Sequence, residues 1–131
     1  MEYKAIYNHE EIIDNEDKSI GIALVKHILT NVYDPLICYG DLARRVGFST
    51  GHGTLDSHLG NLSAFCEANG LPRISAVVIN KATGTPGKGF FTYFYGDIPE
   101  AKWYEKLGVE YKKIIQTRHQ LQHMLNWLEG K

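Results

Sequence analysis

Glycine and proline cut this chain into short segments before any other property is considered. Tyr33-Asp34-Pro35, the turn from Phe48 to Gly53, Gly70-Leu71-Pro72, the run from Gly84 to Gly89 and Pro99 are all places where a helix or strand is expected to stop. With 131 residues, these breaks leave one domain of several short elements. A second core would leave each half too small to stand alone without metals or disulfides.

The segments between the breaks have readable patterns. After an acidic lead-in over residues 1–16, Asp17 is the expected N-cap of a helix running from about Lys18 to Val32. Ile20, Leu24, Ile28 and Val32 recur at four-residue spacing, and Val25 and Leu29 widen the stripe. A short extended piece, Leu36–Tyr39, leads into Gly40–Gly47, where Leu42, Ala43 and Val46 give one apolar face and Gly47 a stop. The next helix is expected from Thr54 to about Asn69, burying Leu55, Leu59, Leu62 and Phe65. Ile74–Asn80 is β-branched and reads as a strand, Lys81–Gly89 as a loop, and Phe90, Phe91, Tyr93, Phe94 and Tyr95 as a returning strand.

Helix, turn, helix, strand, loop and strand in about sixty residues predict an α+β fold with a winged helix-turn-helix over residues 18–95. A C-terminal helical extension over 99–129 follows. Trp103, Leu107, Tyr111 and Ile115 share one stripe, and Leu121, Met124, Leu125 and Leu128 continue it. Gly108 and Thr117 are its only weak breakers, so one bent helix or two remain open.

Charge narrows the function. The formal net charge is −1, with residues 1–35 at −4, residues 36–95 at +2 and residues 96–131 at +1. A dedicated non-specific DNA binder carries far more positive charge, so nucleic-acid binding here would use a local face. Two cysteines, Cys38 and Cys66, make no disulfide framework, no apolar run reaches membrane-spanning length, and the charged N-terminus is unlike a signal peptide. The expected setting is the cytoplasm, with no membrane and no cofactor.

The expected nucleic-acid face joins Arg44, Arg45, His52, His58, Asn61, Lys81 and Lys88. Early residues of a second helix meet base edges, Asn61 has the amide suited to adenine, and the basic side chains suit phosphates. Neutralising Arg44 and Arg45 is expected to weaken binding at all sequences and flatten its salt dependence. Other chemistry fits less well. The Gly84-Thr-Pro-Gly-Lys-Gly spacing fails the Walker pattern, and the loop is expected to run into an aromatic strand rather than the helix that pattern needs. Cys38 and Cys66 lie in apolar settings suited to structural thiols. His119 and His123 have chelating spacing but no third ligand in a known pattern. No enzyme activity is expected.

The segments YGDLARRVG and LDSHLGNLSAFCEANGLPRISAVVINKATGTPGKGF, together spanning about residues 37–90, resemble the winged-helix DNA-binding domain of alkylguanine-DNA alkyltransferases and alkyltransferase-like proteins. That resemblance implies a second helix whose early arginine enters the minor groove. Two departures stand out. The family's Pro-Cys-His-Arg active site would fall near Ser75–Lys81, which reads SAVVINK, and Leu55, Asp56, Ser57 and His58 occupy the region of the arginine finger. Alkyl transfer is therefore not implied. GLPRISAVVINKATGTPGKGFF, with Trp103 downstream, is also similar to a small bacterial and phage domain found in restriction and mobile-element contexts.

A rival expectation is a phage-type inhibitor of a host defence nuclease such as a CRISPR effector. It would compete for a basic channel with Glu10, Glu11, Asp14, Glu16 and Asp17. A homodimer through Trp103, Tyr111, Ile115, Leu121 and Leu125 is compatible with either reading.

Overall fold

A computed structural model describes residues 13–47 and 52–130, with the side chains of 52–54 outside the description. Helix α1 spans Asn15–Thr30, strand β1 Ile37–Cys38, α2 Tyr39–Val46 and α3 His52–Ala68. A 3-10 turn at Ile74–Val77 leads into β2, Val78–Ile79. Then come α4, Lys88–Tyr95, a second 3-10 turn at Glu100–Lys102, α5, Trp103–Gln116, and α6, Arg118–Leu128. The architecture is α+β at the coarse level, mostly helical with a small parallel sheet.

Helix α1 starts three residues earlier than its sequence pattern suggests, because the cap is Asp14 rather than Asp17. The Asp17 backbone N–H donates to Asp14 Oδ1 at 2.7 Å, and the Asp14 N–H donates back to Asp17 Oδ2 at 3.1 Å. This reciprocal box satisfies two otherwise orphaned amides. Ile20, Leu24, Val25 and Ile28 then bury the expected stripe. Gly21 lets α1 approach its neighbours: a Cβ there would sit 2.9 Å from Leu62 Cδ2 of α3 and 3.1 Å from Leu128 Cδ1 of α6.

The sheet joins β1 to β2 in parallel, with Ile37 beside Val78 and Cys38 beside Ile79. Parallel neighbours need a long crossover, and α2 and α3 supply it. The turn before β2 is held against α3 by a buried pair, in which Ser63 Oγ donates to Ser75 Oγ at 2.6 Å and the Ser75 N–H donates to Ser63 Oγ at 3.0 Å.

The returning strand expected at 90–95 is a helix instead. Alternation and helical spacing are hard to separate in a short aromatic run, and here burial decides for the helical period. Phe91 is buried and stacks on Trp103 at 4.3 Å between ring centroids, while Phe90 meets Phe94 one turn on at 5.2 Å. With Ala76 and Leu107 these rings build a small second core beside the main one, which gathers α1, α3 and α6. The loop Asn80–Gly87 closes on itself as a turn. Asn80 Oδ1 accepts from the Ala82 N–H at 2.9 Å, and the Asn80 N–H donates to the Thr85 carbonyl at 2.9 Å.

The C-terminal extension is two helices, broken at Thr117, whereas Gly108 lies within α5. Leu121 and Leu125 are buried in the core of the same chain, so they are unavailable for the expected dimer surface. Trp103 and Tyr111 are likewise engaged internally: one ring stacks on Phe91, and the Tyr111 hydroxyl donates to the Ala76 carbonyl at 3.3 Å. Among the described residues, no helix is long and apolar enough to cross a membrane.

Candidate functional site

A cavity of about 220 Å³ opens where α2, α3, the first 3-10 turn and α4 converge. Tyr39, at the start of α2, and Asp56, Leu59 and Gly60, on α3, form one side; Gly87, Gly89, Phe90, Tyr93 and Phe94 form the other, and Ser75 also lines the cavity. The glycines keep the α4 entrance open, since neither places a side chain across it. The volume lies below the roughly 300–1,000 Å³ of sites for drug-sized ligands, so it suits one small ring system.

Polar groups in this aromatic cavity are few and placed. The Tyr39 hydroxyl faces the Asp56 carboxylate and the Gly87 backbone across the cavity wall. Burial, and then the Asp56 charge, push the Tyr39 phenol up to about 12, so it stays a neutral donor at physiological pH. Tyr93 is exposed, and Phe94 lies under the Arg73 guanidinium at 4.5 Å. Arg73 in turn donates to Glu67 at 2.9 Å and to buried Glu110 at 3.0 Å, and the Tyr95 hydroxyl donates to the same Glu110 oxygen at 2.9 Å. This network ties α4 to α3 and α5 and fixes the aromatic wall.

The residues of the expected nucleic-acid face divide. Lys88 is exposed between Gly87 and Gly89, both of which line the cavity, and Lys81 is exposed on the Asn80–Gly87 loop. Arg44 is paired with Asp41 one turn away in α2. The side chain of His52 lies outside the described residues. His58 and Asn61 turn toward α1 instead. His58 Nδ1 lies 2.6 Å from Asp17 Oδ1 and its Nε2 lies 3.2 Å from Glu16 Oε2, while Asn61 Nδ2 donates to Asp17 Oδ2 at 3.4 Å. Helical spacing places both residues on the side of α3 that meets α1, which the linear pattern did not reveal.

The rival acidic surface is also divided. Glu10 and Glu11 lie outside the described residues. Asp17 is fully buried and holds α1 to α3, so it is corrected from a partner contact to a structural group. Asp14, Asp17 and His58 bring potential metal-ligand atoms within 4.8 Å of one another. Capping and the helix–helix contact already employ these atoms. His119 and His123 are exposed on α6, and no third ligand joins them among the described residues.

Cys66 is buried, its thiol pushed up to about 12 mainly by burial, which leaves no thiolate for nucleophilic work at neutral pH. The cavity residues Tyr39, Asp56, Phe90, Tyr93 and Phe94 had a partial signal in the sequence, namely the YGDLA opening and the aromatic run. Their convergence depends on α4 being helical. Comparison with protein-family models, curated proteins and solved structures finds no match to this chain.

Proposed function

We propose that this protein is a non-enzymatic nucleic-acid-binding domain. In this reading α2 and α3 serve as the helix-turn-helix pair, and the Asn80–Gly87 loop takes the place of a wing. The cavity between them accepts a single unpaired base. The observation that carries the reading is the cavity itself, which has the size of one heterocycle, aromatic walls at Phe90, Tyr93 and Phe94, and a donor–acceptor pair at Tyr39 and Asp56. Unstacked bases are held by such combinations of ring stacking and edge hydrogen bonds. Lys88, between two cavity-lining glycines, and Lys81 on the loop supply charge for the backbone. The alkyltransferase-like resemblance adds little to this reading, because Leu55, Asp56, Ser57 and His58 stand where that family's groove-entering arginine would be. Lacking a cysteine between Ser75 and Lys81, the site would bind without transferring a group.

The test is fluorescence anisotropy with three probes at several salt concentrations: duplex DNA, single-stranded DNA, and a duplex with one unpaired base. The expected order places the last two ahead of the intact duplex. Phe90→Ala and Tyr93→Ala should each weaken binding of the unpaired-base probe by about 1–3 kcal/mol, the worth of one stacked base. Absence of binding to every probe at low salt would overturn the reading. A nuclease inhibitor acting through its acidic N-terminal region has less support, because Asp17 is buried and Asp14 is occupied in the helix cap.

A further inference from the structure

Arg44 and Arg45 are equivalent on paper and different in space. Arg44 is neutralised by Asp41, whereas Arg45 has no carboxylate partner among the described residues. Its Nη1 instead lies 3.1 Å from His27 Nδ1, across the junction of α2 with α1. The other ring nitrogen of His27, Nε2, lies 3.2 Å from the Leu36 carbonyl oxygen. A carbonyl can only accept, so Nε2 carries the hydrogen and Nδ1 presents its lone pair to Arg45. The guanidinium, which has no lone pair to offer, must be the donor. One imidazole thus aligns an otherwise unneutralised cation.

That cation lines an open cleft of about 370 Å³ together with Lys26, His27, Thr30 and Asn31. Thr30 and Asn31 direct donors inward to the α1 backbone: Thr30 Oγ1 donates to the Lys26 carbonyl at 2.8 Å, and Asn31 Nδ2 to the His27 carbonyl at 2.9 Å. The carbonyl ends of α1 and α2 disfavour a bare anion nearby, so capture of one rests on the Arg45 charge, which no carboxylate offsets among the described residues. Lys26 supplies the second cation, shared with Glu129 at 3.4 Å.

We propose that this cleft is a phosphodiester-binding site in which Arg45 makes the contact and His27 is the positioning residue. The site rests on the nucleic-acid reading above and extends it to a phosphate contact by Arg45 of α2, oriented by His27 of α1, an element the helix-turn-helix pattern leaves out. An aligned guanidinium suits phosphate because its planar fork offers several donors in fixed directions. His27 contributes orientation rather than charge, and the two roles are separable by experiment.

The experiment measures DNA affinity against salt for the full chain and for single variants, with far-ultraviolet circular dichroism to confirm folding. Arg45→Ala should lower the magnitude of the log–log salt slope by about 0.9, the effect of one lost phosphate contact on duplex DNA. Lys112→Ala, an exposed lysine on α5, serves as the charge-matched control and should leave the slope unchanged. Arg45→Lys retains the charge and should retain the slope while weakening binding. His27→Ala should weaken binding several-fold at unchanged slope, and His27→Asn, whose amide oxygen can take the place of Nδ1, should restore much of that loss. Equal slopes for Arg45→Ala and the parent, or equal losses for Arg45→Ala and Lys112→Ala, would overturn the site while leaving the parent's binding intact. If the parent binds no DNA at low salt, the broader reading falls and the site with it.

Discussion

Asp17 shows how one side chain can hold a fold together without touching a ligand. Fully buried, it returns the capping bond to Asp14 and receives the His58 ring and the Asn61 amide from α3. Removing one member of a buried charged group leaves the others unpaired, so Asp17→Ala should destabilise the protein by about 3–5 kcal/mol in urea unfolding. A loss below about 1 kcal/mol would show that the α1–α3 contact rests on apolar packing alone. Cys66 gives a second prediction from its burial. Its thiol should resist a disulfide reagent at neutral pH in the native state and react once the protein is unfolded in denaturant. Rapid native labelling of Cys66 would contradict its burial.

Helix α4 is the element whose character matters most. As a strand, the aromatic run would point its rings alternately to opposite sides. As a helix, it buries Phe91 against Trp103 and turns Phe90, Tyr93 and Phe94 to the cavity. Phe91→Ala should therefore cost about 3–5 kcal/mol, as expected for a large aromatic removed from a packed core. The helix ends at Gly96, where φ is 75° and ψ is −159°, a backbone region that side chains strongly disfavour. Gly96→Ala should destabilise by about 1–3 kcal/mol and lower the thermal midpoint. An unchanged midpoint would mean that the chain leaves α4 by another path. The turn at Gly47, with φ of 80°, ends α2 by the same conformational freedom and was recognisable from its position after an apolar helical face.

Packing of the several helices also controls how the protein responds to pH. Tyr39, Tyr95 and Tyr111 are each pushed up from 10.0 to about 12, and Cys66 from 9.0 to about 12, with burial the leading cause in all four. A group whose acid form is favoured by folding stabilises the native state fully below its unfolded pKa and loses that contribution as pH rises through the folded value. Thermal stability should therefore hold level through neutral pH with respect to these groups, begin to fall above about pH 9 and fall further from 10 to 12. Tyrosinate absorbance should show three late-titrating phenols, which would become ordinary on unfolding. A normal native titration of all tyrosines would contradict the packing of α2, α4 and α5. The exposed apolar groups on the C-terminal helices, Tyr104, Val109 and Ile115, exclude the expected Leu121 and Leu125. Any self-association through this region would have to use that narrower set.

Local pattern was enough for the apolar faces of α1, α2 and α3 and for the stops after α2 and α3. The spacing of Ile20, Leu24 and Ile28, the face of Leu55, Leu59 and Leu62, and the breaks at Gly47 and Gly70 all act over a few residues, within reach of the chain's own periodicity. Three other matters depended on groups distant in sequence. Aromatic residues 90–95 satisfied either period until Trp103 and Leu107 supplied a surface on which only the helical one could bury Phe91. Val78 and Ile79 paired in parallel with Ile37 and Cys38 rather than with a returning strand at 90–95. Arg45 was set apart by His27 of α1, whereas the Asp41 partner of Arg44 is a local neighbour in the same helix. A side chain's type is written in the chain, but its charge balance and exposure depend on which distant groups folding brings within a few ångströms.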